Sequence, residues 1–486
     1  MIKKIKHFLF ENTTTKQTVV KNVAWLSVSQ IAGRIFRGLF IIFAARLLGA
    51  TEYGVFSYAL GLAGFFTPFA DVGITSILTR DASRDPKRSS SYFATSFWIK
   101  IFLLVFTTLL IIFVAPLFSK INSIEVLLYF VALLTIFDNF REFFISLFRA
   151  QEKMELEALV NVSMNIAIAA IGAVILYISK TAEAVTISYV GSAGVGVLIA
   201  GFLVRGHLKK VFEDFDKKLI SPTLKAALPI VGISLLGVFM LNIDVIIIGW
   251  FRTAAEIGYY SAGQKIVQLL YVIPAIIASA FFPIISRAVE KKENQKISLI
   301  MERAISAIFA LALPLTIGGI ILGAPLIKFL YGAEYLPAIL TFQILLLTNF
   351  VVFPQTLLSN FIVAYNKQAK IAIYVGISAI GNVVLDLLLI PKFGIAGSAA
   401  ATVIVQLLYN FLTWNMVKKI NPFKTLIYLK KIFVATIGMG ISAFLLNLIQ
   451  LPVLLNIAIS ALIYGGILLA LKEPIIEELK LALKHD

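Results

Sequence analysis

About fourteen stretches of roughly 18–27 residues, rich in Ile, Leu, Val, Phe and Ala, follow one another along the chain, and each is long enough to cross a bilayer as a helix. Short polar loops separate them. The runs are not uniformly apolar: Arg34, Arg37, Asp71, Asp138, Arg141, Asp244, Lys265 and Asp386 lie inside them. A charge at bilayer depth is costly unless it lines a polar path or finds a partner. A polytopic, all-α membrane protein with an internal polar path follows, and transport is the first function to consider. Membrane β-strands are excluded, because the runs are continuous and far longer than the alternating segments of about 10 residues that a barrel shows.

The predicted spans are 22–45, 53–77, 92–117, 124–148, 156–178, 184–204, 225–249, 257–282, 301–323, 338–364, 369–390, 394–417, 428–447 and 452–470. Lys and Arg test that count through the positive-inside bias. With the N-terminus in the cytoplasm, the inside segments hold 32 of the 43 Lys and Arg, the opposite loops hold 6, and 5 lie within spans. An even number of spans with both termini cytoplasmic accounts for this split. The net charge of +17 is therefore read as a set of topology determinants with some attraction to anionic lipid. It is scattered over many loops without an aromatic-lined groove, which argues against nucleic acid.

Other classes fall away on residue types. The chain has no Cys, so thiolate chemistry and cysteine metal sites are excluded. Its three His, at 7, 207 and 485, lie in termini or a loop rather than in a span. No Walker loop is present, so ATP hydrolysis and nucleotide binding are not expected. Met1–Phe10 alternates Lys and His with Ile, Phe and Leu and lacks a cleavage pattern. It reads as an interfacial amphipathic segment or a basic tail.

An internal repeat is visible. Glu52-Tyr53-Gly54-Val55-Phe56-Ser57 matches Glu256-Ile257-Gly258-Tyr259-Tyr260-Ser261 at an offset of 204 residues. Ile77-Leu78-Thr79-Arg80 matches Ile284-Ile285-Ser286-Arg287 at an offset of 207. The period is even in helix number, so two parallel six-helix halves are expected. The predicted division is a cytoplasmic segment 1–21, a lobe at 22–210, a lobe at 211–417, and two further helices with a cytoplasmic tail at 418–486. The Glu-x-Gly-x-x-Ser element reads as a structural corner, its Glu favouring a helix N-terminus and its Gly permitting close approach. Glycines 191, 194, 196 and 201 of the sixth span read as a packing face, with local bending of the helix as the alternative. Pro68, Pro229, Pro274, Pro314 and Pro354 predict bent helices.

Four segments carry a resemblance. They are Leu47-Leu48-Gly49-Ala50-Thr51-Glu52-Tyr53-Gly54, Asp71-Val72-Gly73-Ile74, Tyr331-Gly332-Ala333-Glu334-Tyr335 and Phe393-Gly394-Ile395-Ala396-Gly397-Ser398-Ala399. In this order and spacing the chain resembles the multidrug, oligosaccharidyl-lipid and polysaccharide exporter superfamily. Within it, the chain looks most like the polysaccharide biosynthesis flippases. The resemblance implies two six-helix lobes around a central cavity, alternating access, and a polyprenyl- or dolichyl-linked glycan moved to the outer leaflet. It also implies a cationic cavity lined from the first and eighth helices, where Arg34 and Lys265 are the matching residues. Lys265 stands where the related flippases carry Arg, and a lysine lacks the bidentate fork.

The candidate site follows from both lines. Arg34 and Arg37, with Gln30 one turn earlier, lie on one side of the first span; Lys265 lies in the eighth between Gln264 and Gln268. These are the expected substrate contacts. The alternative for the cations is pairing with carboxylates such as Asp71 or Asp244. Asp138 and Arg141, three residues apart, are expected to satisfy each other. Asp71, Asp244 and Asp386 are the candidates for coupling to Na⁺ or H⁺. No cofactor and no catalytic residue are expected. The expected partners are a lipid-linked oligosaccharide, membrane lipids and glycan-assembly enzymes. A drug or organic-cation antiporter of the same superfamily is the alternative function, and a membrane enzyme of glycan assembly a more distant one.

Overall fold

The computed structural model describes residues 15–121, 124–424 and 426–473. The Met1–Phe10 segment and the tail beyond Glu473 lie outside the described residues. The chain divides into two compact units, Met1–Gly258 and Tyr259–Asp486.

The first unit begins with α1 (Thr15–Phe66), which turns at Gly49, where φ is 78°. At about 1.5 Å per residue its 52 residues as one rod would be more than twice the bilayer core. It is therefore two crossings meeting at a glycine corner. The second limb breaks after a 3₁₀ turn at Thr67–Ala70 and resumes as α2 (Ile74–Arg84). The remaining helices are α3 (Ser89–Leu109), α4 (Ile124–Ala150), α5 (Met154–Ile178), α6 (Ala182–Leu203) and α7 (Ile220–Phe251). Phe93 and Phe97 of α3 interleave with Phe140, Phe143 and Phe144 of α4 to fill the centre of this unit. The glycines of α6 do form a packing face. Gly191 lies against Ile171 of α5, Gly194 and Gly201 against Phe137 and Phe144 of α4, and Gly196 against Arg141 and Met164.

The second unit holds most of α8 (Ala254–Leu270), then α9 (Val272–Glu290), α10 (Asn294–Ile321), α11 (Gly323–Tyr331), α12 (Ile339–Leu346) and α13 (Asn349–Ala364). α14 (Gln368–Ile420) is again a double element, turned at Gly394 with φ 62°. α15 (Leu426–Leu448) and α16 (Val453–Ala470) close the unit. The buried centre lies between α9, α10 and α13, around Ile305, Ile308, Phe353, Phe361 and Ala278. The last two helices pack on α10: Ile432, Ala435 and Leu468 bury Ala310, and the Tyr464 hydroxyl donates to the Ala310 carbonyl at 2.7 Å.

The crossings can now be counted. Among the described residues nine stretches are long and apolar enough to span a bilayer. Two of them, Ala32–Arg84 and Gln368–Ile420, are the doubled elements with glycine corners. The bent pair Ala333–Leu346 and Asn349–Ala364 adds one more. α4, which carries Glu125, Asp138, Arg141 and Glu142, and α7, with its apolar end Asn242–Phe251, complete fourteen. The chain is an all-α polytopic membrane protein. Two of the predicted proline bends appear as helix breaks: α1 gives way to the 3₁₀ turn Thr67–Ala70 that carries Pro68, and α8 ends at Leu270, four residues before Pro274, whereas Pro354 lies inside α13, beyond the 40° bend that follows Leu346. Proline removes the hydrogen bond to the carbonyl one turn back. Pro314 sits within a continuous α10.

The repeat has a direct structural meaning. A Cβ placed on Gly54 would lie 1.7 Å from the Ala254 carbonyl oxygen, and one on Gly258 would lie 2.0 Å from the Ala50 carbonyl oxygen. The two motif glycines thus meet reciprocally, each pressed on the other segment's backbone. Their glutamates act differently in detail. Glu52 accepts from the Ala182 N–H at 2.8 Å and so caps α6, whereas Glu256 accepts from the Thr253 N–H and hydroxyl while Thr253 accepts from the Glu256 N–H. The second is a capping box at the start of α8.

The resemblance motifs have a physical basis as well. Among the described residues, the glycines with positive φ are Gly49, Gly73, Gly332 and Gly394, one in each of the four segments. Each marks a corner that a residue with a Cβ reaches only with strain.

Candidate functional site

Gln30, Arg34 and Arg37 recur at helical spacing on α1, so they form one stripe. Gln30 and Arg34 are exposed and Arg37 is half-buried. Ile35, Leu39 and Phe43 are also exposed. At about 100° per residue they lie on the opposite face of the same helix. The first crossing therefore shows two different surroundings: an apolar stripe suited to lipid tails, and a polar stripe turned away from it. Arg34 makes no hydrogen bond or ion pair with the described residues. Arg37 donates through Nε to the Gly33 carbonyl at 3.4 Å. Gly33 lets α5 approach here, since a Cβ would sit 2.8 Å from Asn165 Nδ2.

The acids of the first unit are held elsewhere. Asp71 is paired with Lys100 of α3, not with Arg34: Nζ lies 2.7 Å from Oδ1. Lys100 is fully buried and also donates to Asn139 Oδ1 at 3.0 Å. Asp71 in addition accepts from the Thr75 N–H at 3.3 Å and from the Thr75 hydroxyl. The carboxylate therefore caps α2 just beyond the break, where Val72 and Gly73 both have positive φ. Asp138 and Arg141 do meet, at 3.3 Å, but Arg141 is also bound by Glu142 at 3.0 Å and Asn161 at 2.8 Å. Glu142 is shared with Arg149, whose guanidinium takes the buried Glu157 in bidentate fashion at 2.6 and 2.8 Å. Asp244 of α7 is buried, and Asn242, two residues before it, fits against Gly61 and Gly64 of α1.

In the second unit Gln264, Lys265 and Gln268 are half-buried on α8. Asp386 is fully buried on α14, four residues from buried Asn382, and buried Asn349 and Gln355 lie on α13, which packs beside it. Among the described residues no three His, Cys, Asp or Glu come close enough together to hold a metal ion.

The chain resembles known proteins in sequence and in fold. The family model described as polysaccharide biosynthesis protein matches residues 19–289, and the MatE model matches 229–388. A "probable low-salt glycan biosynthesis flippase" of Haloferax volcanii is 25% identical over 382 residues, covering 78% of this chain and 79% of that protein. A "putative O-antigen transporter" of Shigella flexneri is 24% identical over 332 residues, covering 65% of this chain and 78% of that one. The solved structure of a lipid II flippase in an inward closed conformation superposes with a TM-score of 0.75 at 18% identity, covering 93% of this chain and 99% of that chain. An inward-facing multidrug transporter of the MATE family superposes at 0.69 with 14% identity, covering 82% and 97%. The order of the crossings, the glycine corners and the family match over more than half its length agree: the chain belongs to the polysaccharide biosynthesis protein family.

Proposed function

We propose that this protein is a flippase that carries a lipid-linked oligosaccharide across the membrane, and that Arg34, Arg37 and Lys265 receive its phosphate or diphosphate. The observation that carries this reading is the polar stripe of α1, with exposed Arg34 opposite the lipid-suited stripe Ile35–Leu39–Phe43. An arginine facing acyl chains costs about 2.5–3.5 kcal/mol by insertion scales. An arginine held on the other side of the helix, without an acceptor among the described residues, is supplied for water or for an anion. A guanidinium matches phosphate geometry with parallel charge-assisted hydrogen bonds. Gln30, Gln264 and Gln268 add neutral donors and acceptors suited to sugar hydroxyls. The names of the Haloferax and Shigella relatives point to the same substrate class. The lobes in this reading are 22–210 and 211–417, both termini are cytoplasmic, and transport proceeds by alternating access.

The test is translocation of defined lipid-linked oligosaccharides by the purified protein in vesicles. Arg34→Gln is expected to slow translocation at least tenfold with an unchanged elution profile and melting point, and Arg34→Lys to retain part of the rate. An unchanged rate in Arg34→Gln removes Arg34 from the substrate path.

Coupling is part of the proposal. Asp244 and Asp386 are buried carboxylates, and Asn382 beside Asp386 offers a neutral oxygen ligand of the kind Na⁺ or a proton carrier uses. Asp71, which pairs with Lys100, is the third candidate. Asp386→Asn is expected to abolish the response of transport to a Na⁺ or proton gradient while leaving gradient-free exchange. Full wild-type activity with every gradient collapsed overturns coupling and leaves the flippase reading standing. The MatE match over 229–388 favours one other reading, an ion-coupled antiporter. Movement of a small organic cation without any movement of lipid-linked glycan selects it.

A further inference from the structure

We infer that the connection between α6 and α7, residues 204–219, is a lipid-binding strap that docks on anionic phospholipid headgroups at one face of the membrane. It stands apart from the transport reading and rests on a sorting of charges visible within the first unit. The segment joins two consecutive crossings, so it lies at a membrane surface whichever side that is.

Two of its three acids, Asp214 and Asp216, are tied to the start of α3 and the residue before it. Asp214 accepts from the Ser90 hydroxyl. Asp216 accepts from Arg88 at 3.2 Å and from the Lys218 N–H at 2.9 Å, and its own N–H donates to Thr95 Oγ1 at 3.1 Å. The Trp98 indole N–H donates to the Val211 carbonyl at 3.3 Å. These bonds fix the strap against the start of α3. Its cations are left outward: Arg205, Lys209, Lys210, Lys217 and Lys218 are all exposed, with Glu213 the exposed acid among them.

Two large apolar side chains point outward with them, Phe212 at 75% exposure and Phe215 at 41%. Phe212 packs its ring on Trp98, with centroids 5.1 Å apart. Trp98 heads an α3 face that continues through exposed Phe102, Val105, Phe106 and Leu109. At helical spacing these form one stripe, and in a membrane protein such a stripe meets lipid tails. Phe212 therefore extends the lipid-facing surface to the level of Trp98, the residue type favoured at the membrane interface. Aromatic side chains beside a run of lysines, at that depth, fit an interfacial segment with headgroup phosphates on one side and acyl chains on the other. The stripe runs without interruption onto the exposed apolar face of α3, and that continuity favours lipid over a soluble protein as the occupant.

The chain has no native Cys, so Phe212→Cys in the full-length protein gives a single labelling site. The labelled protein is placed in nanodiscs of phosphatidylcholine, with or without phosphatidylglycerol. Nitroxide-bearing lipids then report membrane contact, and aqueous iodide reports water. The expected result is quenching by the nitroxide lipids and shielding from iodide, stronger with phosphatidylglycerol. Lys209→Gln, Lys210→Gln, Lys217→Gln and Lys218→Gln combined should abolish the phosphatidylglycerol dependence. A lysine near an anionic surface contributes about a fivefold preference, so retention of phosphatidylglycerol through purification should fall more than tenfold in this variant, as counted by native mass spectrometry. Iodide access with no nitroxide quenching in either lipid overturns the strap and points to a soluble partner. Equal quenching in both lipids, with unchanged phosphatidylglycerol retention in the glutamine variant, overturns the anionic recognition. Elution as a monodisperse peak confirms folding, and labelled Phe215→Cys repeats the reading if Phe212→Cys does not fold.

Discussion

Gly54 and Gly258 offer the sharpest test of the packing. Replacing Gly54 by Ala puts a carbon 1.7 Å from the Ala254 carbonyl oxygen, and Gly258→Ala puts one 2.0 Å from the Ala50 carbonyl oxygen. A comfortable C···O approach is about 3.3 Å or more, so the segments must separate by roughly 1.5 Å. The obstacle is backbone and cannot swing aside as a side chain does. Overpacking of this kind costs about 1–3 kcal/mol, occasionally more, and this geometry belongs at the upper end. Alanine returns about 1 kcal/mol through its better helix propensity, leaving a net loss of about 2 kcal/mol. At about 2–4 °C per kcal/mol for a domain of 150–250 residues, the melting midpoint should drop by roughly 4–8 °C. The assay is thermal unfolding of the purified protein in detergent, followed by tryptophan fluorescence and by recovery from size exclusion. Gly237→Ala is the control, because its Cβ meets nothing within 4 Å; it should melt at or slightly above wild type. The double variant should lose less than the two single losses together, since one Cβ already forces the separation that the other requires. A Gly54→Ala protein that melts with the Gly237→Ala control would refute the reciprocal contact.

Asp71→Asn leaves the buried Lys100 ammonium with a neutral partner and should destabilise by about 3 kcal/mol, whereas Asp71→Asn with Lys100→Met should recover much of that loss; equal melting of the single and double variants would show that the pair is not coupled. For topology, reporters fused after Asp486 and inserted near Lys328 should report opposite sides of the membrane, cytoplasmic and external respectively. If both report one side, the parity of the crossings is wrong.

The crossings were legible because the period and length of the apolar runs are set by the bilayer, and the Lys and Arg bias checks their parity. The corners were legible as motifs before their cause was visible: Gly49, Gly73, Gly332 and Gly394 are the positive-φ positions. The doubled elements were legible as separate spans, 22–45 with 53–77 and 369–390 with 394–417, but not as helix running through each corner. α1 and α14 continue as helix on both sides of a single glycine, and hydropathy alone does not distinguish that from two helices joined by a loop. The candidate site was legible only in part. Gln30, Arg34 and Arg37 share a stripe by spacing alone, and so do Asp138 and Arg141. The partner of Asp71 was not legible, because Lys100 lies 29 residues away and on another helix. Glu142, Arg149 and Glu157 were missed for the same reason: their network joins α4 to α5, and the local signal is an ordinary basic helix end.

The charges set into the crossings of the first unit sort into two groups, and the sorting carries the functional argument. Lys100 and Arg141 are buried, and each is matched by carboxylates and amides within 3.3 Å. A buried cation with such partners is a structural tie: its attraction is already spent on the protein, and removing one partner strands the other. Arg34 has the opposite character. It is exposed, has no acceptor among the described residues, and shares a stripe with Gln30 and Arg37 facing away from the lipid-suited side of its helix. An arginine kept in that state at bilayer depth gives the fold nothing that a leucine would not give more cheaply. Under the proposed function its value lies in an anion that comes and goes, and the lipid-linked phosphate of that proposal is an anion a guanidinium suits.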